Sequence, residues 1–420
     1  MKKIFLVIAV IITIHQLNAQ IIRGIVRDKE TNQTLPFATV GLDGSSYGTI
    51  TNRNGIFEFT IPVHLQESSI QVSYMGYHSK TIAFNEYDSS EELAVFLAPS
   101  ILTLDELVIR PLSPEDYIKR VVKNMENVIS QKPAVSTSFY REHFQENGQH
   151  LAFTEGIWKT YHRTFSDTSS NQYQLVLYET AENPAELQFM KENRDKKEAK
   201  KRKKAKKKGE EYEDDSKGFI SATFSGPNDI LEMDLTNELD DFLDSAHFKK
   251  FKYSFGTPVA FRNRELLAIN FESKGTVDHL RSKGKIYIDT RTDAFASIVF
   301  DAEAVIPVVI RPILFSFGIS IENPTVRKEL RYQMIGDSWY PEYYHIDVNL
   351  NITKRHLFSA NENSKFYIEQ LLKLSELDTE NPTEIKPEYL YDLKKDPADQ
   401  VFNEENLKWE DFNRLSSEGS

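Results

Sequence analysis

The sequence predicts a mainly β protein: a small seven-stranded sandwich at the N-terminus, one connecting helix, and then a large antiparallel β-sheet domain. Three observations carry this prediction. Between Gly24 and Tyr77, short alternating apolar runs are cut by glycine turns. Between Ser113 and Ile129, apolar residues recur at spacings of three and four. From Ser136 to Lys373 the chain returns to strand-like runs, and 27 Phe and 19 Tyr supply the residue types that pleated, half-buried surfaces favour.

The chain begins with a leader. Lys2 and Lys3 precede the apolar run 4–14, and Ala19 offers a small residue for cleavage. Residues 1–19 therefore read as a secretory signal peptide, too short to span a bilayer as a helix. There is no cysteine, so neither a lipid-attachment residue nor a disulfide is available. The expectation is an exported protein of the periplasm or outer-membrane periphery that is not a lipoprotein. The formal charge is −12, or about −14 without Lys2 and Lys3. Such an acid excess disfavours nucleic acid as a partner.

Residues 20–99 form the first expected domain. Phe57, Phe59 and Ile61 alternate with Glu58 and Thr60, and Ile70, Val72 and Tyr74 alternate with Gln71 and Ser73. Each run thus has one dry and one wet face. Asn54-Gly55 supplies a turn, and Leu93, Val95 and Leu97 close the series. The motifs Gly24-Ile25-Val26-Arg27-Asp28, Leu35-Pro36-Phe37-Ala38-Thr39-Val40, Gly48-Thr49, Thr51-Asn52-Arg53-Asn54-Gly55 and Val72-Ser73-Tyr74-Met75-Gly76-Tyr77 occur in that order. In this order they resemble the carboxypeptidase-like regulatory domain of Gram-negative envelope proteins and TonB-dependent receptors. That resemblance implies a transthyretin-like sandwich with no catalytic role of its own. Asn52 departs from it, since the pattern has aspartate there.

Residues 100–135 read as a linker and helix. Ser113 and Asp116 approximate a capping box with Pro114 at the first helical position, and Tyr117, Ile118, Val121, Val122, Met125, Val128 and Ile129 make one apolar face. The second domain, 136–377, is predicted to hold strands at 172–179, 219–224, 251–255, 265–272, 284–289, 296–301, 326–335, 343–350 and 365–373, after a hairpin turning at Asn147-Gly148. The rhythm of strand, Asp289-x-x-Thr292 turn, strand, then Trp339-Tyr340-Pro341, is similar to the curved half-barrels of outer-membrane lipoprotein carriers. It implies a curved sheet that holds something apolar. Phe139-Tyr140-Arg141-Glu142 resembles the opening of a family of envelope proteins carrying the same N-terminal sandwich.

Catalytic chemistry finds little support. His64 with Glu67, and His143 with Glu146, have the spacing of a zinc-peptidase pair, but the first lies inside the sandwich just after Pro62, and the second sits on a predicted strand, where residues three apart face opposite ways. No His-Glu-x-x-His, Gly-x-Ser-x-Gly elbow or phosphate-cradling glycine loop occurs. The expected catalytic, cofactor-binding and metal residues are therefore none, with a zinc carboxypeptidase the least favoured reading. The basic run 191–208, answered by Glu210, Glu211, Glu213, Asp214 and Asp215, reads as an exposed insertion at about 190–217 or as an anion-binding arm. The acidic tail 378–420, with Tyr389, Tyr391, Phe402 and Trp409, is expected to drape over the sheet or to be disordered.

The stretch 302–321 is the most apolar after the leader. Pro307, Arg311, Pro312 and Gly318 argue against a membrane span. It is either a buried strand pair with a proline-bent loop, or an apolar flap for lipid or a membrane surface. Val305, Val309, Ile313, Leu314, Phe315 and Phe317 are then the candidate contacts. The function expected is a periplasmic binding or assembly factor whose partner is lipid or an outer-membrane protein. The alternative is a structural or adhesion protein presenting Trp158 or Trp339 on a flat face to protein or glycan.

Overall fold

The computed structural model describes residues 20–62, 65, 68–83, 92–100, 112–182, 199–200, 202–204, 206–207, 226–236, 239–307, 309–356, 360–393, 395–403 and 406–416. The expected leader 1–19, the expected linker 101–110, the expected strand 219–224, His64, Glu67 and most of the basic run lie outside the described residues. The chain divides into two compact units. One comprises 1–102, 259–264 and 404–420, and the other 103–258 and 265–403.

In the first unit, β1 (Gln20–Asp28) pairs with β4 (Ile56–Ile61) and, in parallel, with β7 (Leu93–Leu97). A second sheet runs β3 (Gly48–Ile50), β2 (Thr39–Leu42), β5 (Ile70–Ser73), β6 (Lys80–Ile82). The seven strands enclose one core in which Ile22, Val26, Phe57, Phe59, Val72 and Val95 are fully buried. These are the alternating positions, so the period-two pattern selected the dry face. Gly55 sits at φ +76°, and a Cβ there would meet Val26 O at 2.9 Å, so the turn needs glycine on two counts.

Asp28 ties this unit together at its β1 end. It accepts from the backbone N–H of Glu30 and Thr31 and from the Tyr77 hydroxyl at 2.7 Å. The Thr31 amide, followed by the Tyr77 hydroxyl, holds its carboxyl below the usual range, while burial and then Asp28 push Tyr77 up to about 12. Residues 408–416 lie along β4. Asn413 accepts from Thr60 N–H at 2.8 Å and donates to Thr60 O at 3.1 Å, and Leu415 is buried.

The second unit opens with α1 (Pro114–Val128), capped by Ser113, whose Oγ accepts from Asp116 N–H at 3.1 Å. Its buried residues are Tyr117, Ile118, Val121 and Met125, the face that the spacing predicts. Tyr117 meets Phe255 edge-on, and Asn124 donates to the carbonyls of Thr292 and Asp293.

The sheet strands are β8 (Ala134–Glu146), β9 (Gln149–His162), β10 (Gln172–Glu182), β11 (Phe251–Phe255), the short β12 (Val259–Phe261), β13 (Arg264–Ser273), β14 (Leu280–Asp289), β15 (Ala294–Ala304), β16 (Ile319–Ile321), β17 (Thr325–Ile335), β18 (Ser338–Lys354) and β19 (Glu362–Asp378). They form a twelve-stranded antiparallel sheet whose main path runs β10-β9-β8-β19-β18-β17-β15-β14-β13-β11, with β16 beside β18. Among the described residues its two end strands, β10 and β11, do not pair with each other, so the sheet they form is open. The β8–β9 hairpin turns at Asn147 (φ +52°) and Gly148 (φ +78°), which is the primed turn that the dipeptide predicts.

Directly paired residues share a face, so the registers divide the sheet into two surfaces. One row reads Tyr140, Leu372, Tyr344, Leu330, Ile298, Ile286, Ile269 across seven strands, all of them buried. This apolar face is covered by 226–236, which contains α2 (Pro227–Glu232), and by 239–250. Phe242 stacks on Phe271 at 3.9 Å, and Asp234 accepts from the hydroxyls of Tyr332 and Tyr344. Burial, with Asp234 adding to it, raises both phenols well above their ordinary range. The tail also contributes: Tyr391 N–H donates to Tyr173 O, and its ring meets Trp158 at 4.7 Å.

The opposite face is polar. The row Glu155, Arg141, Leu371, His345, Glu329 runs beside the row His143, Glu369, Asp347, Arg327, Asp301.

Candidate functional site: an apolar protrusion beside the sheet

Beyond Ala304 the chain leaves the sheet, turns through Pro307, forms α3 (Arg311–Ser316) and returns as β16. The two prolines explain why a regular strand pair does not form here. Pro307 has no N–H for a ladder, and Pro312 lies in the first turn of the helix, where a missing N–H does no harm. The expectation of a buried strand pair therefore gives way to a short helix held outside the sheet.

The base of this excursion is well anchored. Ala304 N–H donates to Pro324 O at 2.8 Å, Val305 N–H to His279 O at 2.7 Å, and Arg355 N–H to Gly318 O at 2.7 Å. Gly318, at φ +69°, reverses the chain where a Cβ would meet Arg355 O. β16 pairs with the far end of β18 through Ile319–Lys354 and Ile321–Ile352.

The tip is exposed and apolar. Val309 is 77% exposed, Phe315 and Phe317 65% each, Ile313 57% and Ile310 41%. Val305 and Leu314 are half-buried. Of the six candidate residues, four are thus exposed and two help to seat the protrusion. Between α3 and β16 lies an open cleft of about 690 Å³ with Ile306, Leu314, Phe315, Ile319 and Ile321 in its wall.

Cations surround the tip in an otherwise acidic chain. Arg311 begins α3, the Arg355 guanidinium lies 5.4 Å from the Phe315 ring centre, and Lys354 Nζ donates to Phe317 O at 2.6 Å. An apolar surface rimmed by Arg and Lys can enter the apolar side of a lipid interface while its cations meet phosphate.

Other sequence expectations resolve differently. His143 and Glu146 do not meet: His143 Nε2 lies 2.5 Å from His150 Nδ1, while Glu146 accepts from the Ser364 hydroxyl. Trp158 is fully buried and Trp339 is 3% exposed, so neither forms a flat aromatic surface. The Asp289-x-x-Thr292 and Trp339 motif is a structural clamp. Asp289 accepts from Arg291 N–H, and the Trp339 indole donates to Thr292 Oγ1 at 3.0 Å. Residues 199–200, 202–204 and 206–207 of the basic run are helical and exposed.

Sequence reasoning missed the polar face. Arg141 Nε donates to Glu155 at 2.8 Å, Lys373 Nζ lies 3.5 Å from Glu342, and Arg331 Nε donates to Glu329 at 3.0 Å. His345 Nε2 lies 2.9 Å from Glu369 Oε1 and 3.4 Å from Asp347 Oδ1. Its signal was the alternation of charge along β17 and β18, with residues i and i+2 on one face. The partners on β8, β9 and β19 are too distant in sequence to be assigned by eye.

No helix among the described residues is long and apolar enough to cross a membrane. No curated protein is significantly similar to the chain. Among solved structures, it is similar to lipovitellin, described for its lipid–protein interactions, at 8% identity and a TM-score of 0.25. That match covers 61% of this chain and 26% of the other, so the chain spans about a quarter of that protein's length. It is also similar to a DUF1329 family protein from Desulfovibrio piger, at 10% identity and a TM-score of 0.22, over 65% of this chain and 96% of that one. At such scores neither likeness bears on function. The N-terminal unit is different, because a family model matches it at residues 22–109. That stretch, with its seven strands around one core and its Asp28–Tyr77 tie, is a CarboxypepD_reg-like domain.

Proposed function

We propose that this protein is an exported, non-catalytic envelope factor that docks on a lipid bilayer surface through the protrusion at 305–317. Its modules are the sandwich at 20–99 and the sheet at 136–377. The observation that supports this reading is the contiguous exposure of Val309, Ile310, Ile313, Phe315 and Phe317 at one tip. Single exposed apolar residues are ordinary, whereas five large ones on one short excursion are not. A bilayer surface is favoured over a single enclosed lipid because four of these five side chains, all but Phe315, lie outside the cleft wall. The rim of Arg311, Lys354 and Arg355 suits anionic headgroups.

Burying one Phe of this kind in the acyl boundary is worth roughly 1.5–3 kcal/mol. Replacing Phe315 and Phe317 together with Asp should therefore weaken binding to phosphatidylethanolamine/phosphatidylglycerol vesicles by roughly 100-fold or more. Both side chains are exposed, so the thermal midpoint should stay put. Co-sedimentation of wild-type and double variant with such vesicles tests this directly. Equal sedimentation of the two would overturn the assignment. Lipid co-purifying with a protein that ignores vesicles would replace it with a carrier that uses the cleft.

A further inference from the structure

Three groups on the polar face, far from the protrusion in role and chemistry, converge on a common point. His345 and Asp347 stand at i and i+2 on β18, so both project from the same side of the strand. Glu369 on β19 is the direct register partner of Asp347. The three donor atoms lie within 4.8 Å of one another, and His345 and Glu369 are buried.

We propose that His345, Asp347 and Glu369 form a binding site for a divalent transition-metal ion of the zinc class. Four considerations support it. Two carboxylates directly opposite on neighbouring strands repel, and a cation between them reverses that cost. Nε2 is 2.9 and 3.4 Å from the two carboxylate oxygens. Metal–ligand lengths of about 2.0–2.1 Å in a tetrahedron imply donor separations of roughly 3.3 Å, so small side-chain adjustments suffice.

Asp347 also has an orienting partner, since the Tyr367 hydroxyl donates to its Oδ1, as outer groups do around ligating carboxylates. The fourth consideration is that the neighbouring register positions are rich in imidazole. His143, on β8, is the register partner of Glu369 across the other edge of β19, and it stacks on His150 at 4.6 Å. Three histidines and two carboxylates from four neighbouring strands therefore share one small area of one face. One nitrogen and two oxygens suit zinc, manganese or iron rather than calcium, which prefers oxygen alone. The ion would join β18 to β19 near the middle of the sheet. Asp347, only half-buried, leaves one side of the site open.

The other reading is an internal hydrogen-bonded histidine without a metal. Zinc titration calorimetry on the chelator-stripped full chain separates the two. A second acid-rich group, Asp241, His247 and Asp278, is more exposed and serves as the control. The site predicts one tight zinc equivalent that weakens roughly 10–100-fold or more in His345→Gln and Glu369→Gln and persists in His247→Gln. The thermal midpoint should rise on adding zinc to wild type and to His247→Gln only. If His345→Gln does not fold, Asp347→Asn, at the open edge, provides the same readout. Absence of zinc binding, or binding that survives in Asp347→Asn and disappears in His247→Gln, overturns the proposal.

Discussion

At the scale of single residues, burial decides chemistry that residue type alone leaves open. His162 on β9 is 2% exposed, with Nε2 2.8 Å from Ser136 Oγ and its ring stacked on Phe165 at 4.3 Å. Burial pushes this imidazole down to about 3. Unfolded, it titrates near 6.5, so between those values the unfolded chain holds a proton that the folded chain does not. Its contribution to stability is fully present above about pH 6.5 and declines as pH falls toward 3, at up to about 1.4 kcal/mol per pH unit. Thermal midpoints from pH 7 to 4 should therefore fall more steeply for wild type than for His162→Gln, and parallel curves would contradict this account. Asn52 is a second case, the departure from the family pattern. Its Oδ1 accepts from Asn54 and Ile56 N–H, as a carboxylate also would, while its Nδ2 donates to Ser416 O at 3.4 Å. A carboxylate has no proton to give there.

At the scale of elements, the strongest local signals became the best-formed pieces. Ser113, Pro114 and Asp116 begin α1 as their types dictate, and Ser113→Ala should lower stability by about 1 kcal/mol, read as a shift in denaturant midpoint at unchanged slope. Asn147-Gly148 made its hairpin, and Phe57, Phe59 and Ile61 filled the sandwich core. Residues 302–321 were harder to read. Their apolar content suits a buried strand as well as an exposed flap, because hydrophobicity does not distinguish a side chain facing a core from one facing a partner. The helix-starting Arg311-Pro312 and the half-turn at Gly318 were the local hints. What decided exposure was the pairing of β16 with the last residues of β18, which leaves α3 outside the sheet.

At the scale of the whole molecule, the first unit is discontinuous in sequence. Residues 404–420 belong with 1–102: Asn413 makes two hydrogen bonds to Thr60 on β4, and Leu415 is buried. Deleting 406–420 should leave the twelve-stranded sheet intact and loosen the sandwich. Proteolysis followed by mass spectrometry should then find new early cuts within 20–62, and none within 136–162. By itself the sequence determined the mainly β class, the seven-stranded sandwich and its family, α1 with its buried face, and most strands of the sheet. These follow from periods of 2 and 3.6 and from turn and cap chemistry, all of which act within a few residues. Only the tertiary structure decided that 226–236 and 239–250 cover the apolar face, that the tail splits between two units, that the tip carrying Val309, Ile313, Phe315 and Phe317 is exposed, and that His345, Asp347 and Glu369 meet. The physical reason is the register of an antiparallel sheet. It places side chains from strands tens to hundreds of residues apart within hydrogen-bonding distance, and it is set by the packing of the whole sheet rather than by any local pattern.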